Sequence, residues 1–158
     1  MEEGKEFNVD KKVLVKNIAP WNVGFPNKVS AGDTCFPPSS KVRVRREEII
    51  AQADSGNRLF NGIDTIGSHA TLFIEDAETR EYLGYDSASE KRQQDVINDE
   101  KIQAWFALKT QSVFENKIKA NVKTMAEKTY LLEAIKRLKF DSYEKISFCQ
   151  EYCKFRLF

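Results

Sequence analysis

The chain reads as an α+β protein, with a small, mostly antiparallel β module over residues 1–86 and a helical segment over 87–158. Three observations carry that reading. All seven glycines and all four prolines lie in the first 84 residues, and the remaining 74 contain neither. Gly opens positive φ and Pro fixes φ while removing a donor, so both punctuate turns and their loss marks a change of architecture. Lys41-Val42-Arg43-Val44-Arg45 alternates with a period of two, as a half-buried strand does, with the valines on one face and the cations on the other. Thr124-Met125-Ala126-Glu127 has the spacing of a capping box, and Leu131, Ile135 and Leu138 follow on one helical face.

The elements follow in order. Residues 12–18 form a β-branched run that Pro20 ends, since proline cannot donate to a ladder. Residues 24–40 hold Pro26, Gly32, Pro37 and Pro38 among aromatics, which predicts an ordered loop with at most one short strand near Thr34-Cys35-Phe36. Residues 47–53 favour one or two helical turns, with Glu47 and Glu48 at the N-terminal end and Gly56 placed to stop them. Residues 57–64 add a short strand or turn. The β-prone runs 70–75 and 80–83 flank Asp76-Ala77-Glu78-Thr79, the pattern of an antiparallel hairpin.

Residues 86–94 lack any large apolar side chain and read as a linker, although Ser87-Ala88-Ser89-Glu90 also has capping-box spacing. About three helices are expected beyond it. Ile102, Trp105, Phe106, Val113 and Phe114 recur at helical intervals, and Asp141-Ser142-Tyr143-Glu144 opens a last helix carrying Ile146, Cys149, Cys153 and Leu157. The short connection at 140–142 predicts that the last two helices pack as an antiparallel pair.

Composition bounds the function. With 41% apolar and 31% charged residues the chain is ordinary for a globular protein, and its net charge of +1 conceals −2 over residues 1–84 and +3 over 85–158. No run approaches the roughly 18 apolar residues of a membrane span, and the acidic start Met1-Glu2-Glu3-Gly4-Lys5-Glu6 is unlike a signal peptide. These features predict a cytoplasmic protein without membrane contact. Three cysteines, an odd number, fit reduced thiols better than a disulfide framework.

The chemistry-bearing residues are few. His69 is the only histidine, which excludes any mechanism or metal site needing two, and as neighbours in extended chain Ser68 and His69 point to opposite faces. Asp64-Thr65-Ile66-Gly67-Ser68 is similar to the Asp-Thr-Gly-Ser turn of aspartic proteases, but Ile66 interrupts it and no second copy supplies the partner carboxylate. It reads as a turn leading into a strand. Cys149 and Cys153 share a helical face, and with Cys35 and His69 could complete four zinc ligands, but the spacing is unlike a zinc knuckle or ribbon and small buried residues fit better. Gly56, Gly62 and Gly67 match neither a Walker loop nor a dinucleotide fingerprint. The expectation is no catalytic residue, no metal and no cofactor.

Two surfaces are candidates for binding. Trp21, Phe25 and Phe36 sit in the Pro-rich loop, where rigidly held aromatics serve as partner anchors or plug a small core. Residues 109–139 hold eight Lys/Arg against three Glu, and a nucleic-acid surface there would use Lys117, Lys119 and Lys123.

The order of elements across residues 12–84 resembles that of small accessory proteins of tailed bacteriophages. The resembling features are Val13-Leu14-Val15-Lys16-Asn17, the Pro37-Pro38-Ser39-Ser40 turn, Val42-Arg43-Val44-Arg45 with Glu47-Glu48-Ile49-Ile50 behind it, and Leu72-Phe73-Ile74-Glu75-Asp76, followed by a helical tail. The resemblance implies a non-enzymatic virion or assembly component that acts on virion or host proteins in the host cytoplasm, with self-association or a second contact through the helices. It transfers no catalytic residue. The alternatives are a small nucleic-acid-binding or regulatory protein and a phage-encoded inhibitor of a host enzyme.

Overall fold

A computed structural model describes residues 7–87, 94 and 96–154. The opening run forms β1 (Lys12–Asn17), which pairs antiparallel with β4 (Lys41–Arg45) on one side and β5 (Leu72–Ile74) on the other, giving a sheet of order β4-β1-β5. Between β1 and β4 the chain makes a hairpin of β2 (Val23–Pro26) and β3 (Asp33–Phe36). The Pro-rich loop thus holds two strands where at most one was expected. Val23 and Phe25 alternate inward, Pro26 falls at the strand end, and the turn closes through Asn27 N–H to Gly32 C=O and Thr34 Oγ1 to Asn27 Oδ1.

The helical turns after β4 form α1 (Arg46–Asp54), followed by Gly56 at φ +88°. A single turn, α2 (Arg58–Asn61), is capped by Asn57, whose side chain accepts from Leu59 N–H. The expected hairpin after β5 is overturned. Residues 80–82 belong to α3 (Ala77–Tyr82), and β5 pairs with β1 instead. Asp76 caps α3 by accepting from Thr79 N–H, and Arg46 then organises the helix start. Its buried guanidinium bonds Asp76 and Glu78 at 2.7 Å each and Thr79 Oγ1 at 3.0 Å, with the ring of Phe7 stacked 4.4 Å away. Among its described residues the module therefore contains three helices where one was expected.

Beyond residue 98 the described chain has α4 (Asp99–Phe106), α5 (Gln111–Asn121), α6 (Met125–Leu138) and α7 (Tyr143–Lys154). Helix α6 starts at the expected capping box, with the Thr124 and Glu127 side chains each bonding the other's backbone N–H, and it packs on α7. Phe106 stacks on Phe140 at 4.1 Å and meets Phe114 edge-on at 4.9 Å. Of the five apolar residues read at helical intervals, Ile102, Trp105, Phe106 and Phe114 are buried and Val113 is exposed. The linker and its capping-box spacing fall largely on 88–93, outside the described residues. Buried apolar residues from both halves, among them Val15, Phe36, Ile74, Ile102, Phe114 and Leu131, join one cluster. Among the described residues no helix is long and apolar enough to cross a membrane.

Candidate functional site

The most elaborately built surface feature is the loop from Gly62 to His69, between α2 and β5. Gly62 bridges to Ser68 at φ +72°, and a Cβ there would sit 1.9 Å from the Ser68 carbonyl oxygen, so only glycine fits. Within the loop, Asp64 Oδ1 accepts from the N–H groups of Ile66 and Ser68, at 3.0 and 3.1 Å. Burial raises the Asp64 pKa, but these bonds prevail and hold it below the usual carboxylate range. From beneath, Asn61 C=O accepts Gly67 N–H at 2.7 Å, while the Tyr85 hydroxyl donates to Asn61 Oδ1. Thr65 lies at φ +67°, a conformation β-branched residues rarely adopt, which the surrounding bonds impose.

His69 anchors the far end of the loop. Its Nδ1 lies 2.7 Å from Oε2 of Glu127, whose side chain is 1% exposed. The other oxygen of Glu127 accepts the N–H groups of Lys123 and Thr124 at 2.8 and 3.0 Å. One carboxylate thereby completes the α6 cap and ties the β module to the helical segment. Among the described residues no serine, threonine or cysteine side chain bonds His69, whose ring is oriented by the Glu127 carboxylate. A shallow groove of about 290 Å³ lies alongside, lined by Arg58, Leu59, Ile63, His69, Thr71 and Thr124. The loop leaves Ile63 49% and Ile66 38% exposed, and Met125, next to Thr124 in sequence, is 51% exposed.

The sequence candidates fall elsewhere. Phe25 and Phe36 are buried and tilt against each other at 6.0 Å, with Phe60 5.7 Å from Phe25, so they plug the core and present no anchor. Trp21 is 39% exposed, and its backbone carbonyl is held by Asn17 Nδ2. Lys117, Lys119 and Lys123 are exposed, but Lys117 and Lys119, two apart on α5, point to different sides, and Lys119 lies over the Phe148 ring. Lys128 is buried over Tyr152, and Arg137 pairs with Asp99, so two cations of the tract serve packing.

Cys149 and Cys153 face the core, where burial pushes their thiols up to about 12 and about 11, while Cys35 is exposed on β3. Among the described residues no group of three or more His, Cys, Asp or Glu is arranged to hold a metal ion. Sequence reasoning missed Ile63, Ile66 and Glu127 as site residues. The Asp64 to Gly67 turn signal was available, but nothing local marked the isoleucines as outward-facing. No protein-family model, curated protein or solved structure matches this chain.

Proposed function

We propose that this chain is a non-enzymatic accessory protein that docks on a virion or host protein, as its resemblance in layout to small tailed-phage components implies, with the 62–69 loop as the contact. The observation that carries the reading is rigidity combined with exposure. A loop stitched to Asn61, to its own Asp64 and to Glu127 nevertheless turns Ile63 and Ile66 to solvent. Apolar side chains on a preorganised loop lose little conformational freedom on docking, so more of their burial appears as affinity. Such a protein acts in the host cytoplasm and on the assembling virion, and the helical segment serves self-association or a second contact.

The test mixes the full chain with virion proteins and with host proteins and follows complexes by size-exclusion chromatography with light scattering. The wild type should shift a defined partner. The double variant Ile63→Asp, Ile66→Asp should bind about 10- to 100-fold more weakly while melting at the same temperature. Survival of the complex in that variant overturns the reading. So does recovery of nucleic acid alone, with an affinity that falls steeply with salt and is lost in Lys117→Glu, Lys119→Glu, Lys123→Glu.

A further inference from the structure

The two edges of the three-stranded sheet are treated differently. Along β5 the outward groups are closed by two side chains, since the Gln94 carboxamide accepts from Ile74 N–H at 3.3 Å and donates to Leu72 C=O at 3.4 Å, and Arg80 Nη1 donates to Ile74 C=O at 2.7 Å. Among the described residues the β4 edge has no such cover. Asn17 N–H bonds Ser40 C=O and Arg46 N–H bonds Lys11 C=O in the β1–β4 register. Residues 40, 42, 44 and 46 therefore turn their backbone groups toward β1, and the alternation of an antiparallel ladder turns those of 41, 43 and 45 outward. The N–H groups of Lys41, Arg43 and Arg45 and the carbonyls of Lys41 and Arg43 have no hydrogen-bond partner among the described residues.

The side chains on this edge indicate what can pair with it. Lys41, Arg43 and Arg45 are exposed on one face, with Val42 and Val44 turned to the other. Lys41 pairs with Glu75 and Arg45 with Glu47, which leaves Arg43, at the centre of the strand, without an ion pair among the described residues. A second copy of the chain is a poor occupant. An antiparallel β4–β4 pair centred on Arg43 would set Arg43 against Arg43 and Lys41 against Arg45, and like charges directly opposite are destabilising. The same charges favour an acidic strand.

We infer that β4 is a strand-addition site for an extended segment of a partner protein that carries Asp or Glu at every second position, with a carboxylate opposite Arg43. Main-chain bonds to residues 41, 43 and 45 supply the affinity, and the alternating cations supply the selection. This surface is separate from the 62–69 loop, so the inference stands or falls independently of the reading proposed for that loop.

The test uses the full chain, two blocked synthetic peptides, one alternating Val and Glu and the other Val and Lys, and residue-resolved amide hydrogen exchange by NMR. The amides of Lys41, Arg43 and Arg45 should exchange freely in the protein alone and slow by about tenfold or more with the Glu peptide, with no change from the Lys peptide. Arg43→Glu should reverse the preference while leaving the core amides of β1 protected, which separates loss of recognition from loss of fold. Strong protection of the three amides without peptide overturns the inference. Equal protection by both peptides, a self-associated chain with these amides slowed, or chemical-shift changes confined to other elements do the same.

Discussion

The strand-and-loop region before residue 87 and the helical region after residue 96 hold their buried backbones in different ways. Helices satisfy their own N–H and C=O groups, so the second region is left to pack apolar faces. Phe106, Phe114, Phe140, Phe148 and Tyr152 do so in a run of ring contacts. Short strands and long turns leave backbone groups open, and the first region closes them with buried polar side chains. Asn17 clamps the turns at Trp21 and Pro37, Glu48 accepts the N–H groups of Lys28 and Val29, and Arg80 holds the Ile74 carbonyl on the β5 edge, which Gln94 from beyond the region helps to close. Satisfied polar groups of this kind make little net stability but are costly to break, so the two regions should respond differently to substitution and to acid.

The largest effect is expected where the regions are alike, in the apolar core. Phe36→Ala and Phe114→Ala, one in each region and both fully buried, should each cost about 3–5 kcal/mol in urea unfolding. Trp21→Ala on the half-exposed turn should stay within about 0.5 kcal/mol. Equal losses at Phe36 and Trp21 would break the assignment of Phe36 to the core.

Arg46 sharpens the contrast. Arg46→Ala strands Asp76 against a half-buried helix start and should cost about 3 kcal/mol. It should also change the acid limb. Burial raises the Asp76 pKa, but bonds from Thr79 and Arg46 prevail and lower it, and in Glu48 bonds from Gln52, Lys28 and Val29 likewise overcome burial. A carboxylate with a depressed folded pKa contributes stability that is present above its unfolded value of about 4 and is lost as pH falls through the folded one. Wild-type stability should therefore fall below about pH 4, with a shallower fall in Arg46→Ala. Unchanged pH curves would remove the polar clasp from the account of the first region.

Gly62→Ala tests the loop. It forces a Cβ onto the Ser68 carbonyl at positive φ and should cost about 2–3 kcal/mol, with early loss of protection at the Gly67 and Ser68 amides. The helical region's own polar device should have a smaller effect than either Arg46 or Gly62. Thr124→Ala removes the α6 cap and should cost about 1 kcal/mol by thermal or urea unfolding, because a cap serves one helix end where Arg46 serves several elements.

The sequence by itself determined what depends on neighbours within about one helical turn. The capping box at Thr124 and Glu127, the inward valines and outward cations of β4, the stop after α1 and the turn character of residues 64–68 were all legible, because alternation, helical period and caps are short-range signals. Tertiary structure decided what depends on where the chain returns. Residues 80–83 have strand propensity, yet 80–82 are helical because Arg46, more than 30 positions earlier, gathers Asp76 and Glu78. Phe25 and Phe36 were indistinguishable from interface anchors until Phe60 closed over Phe25. His69 found its carboxylate 58 residues away, in a Glu127 whose local role was already complete as a cap. A side chain's own type states what it needs, an apolar cover, a counter-charge or an acceptor, but many distant residues could meet that need, and only the packed chain selects one.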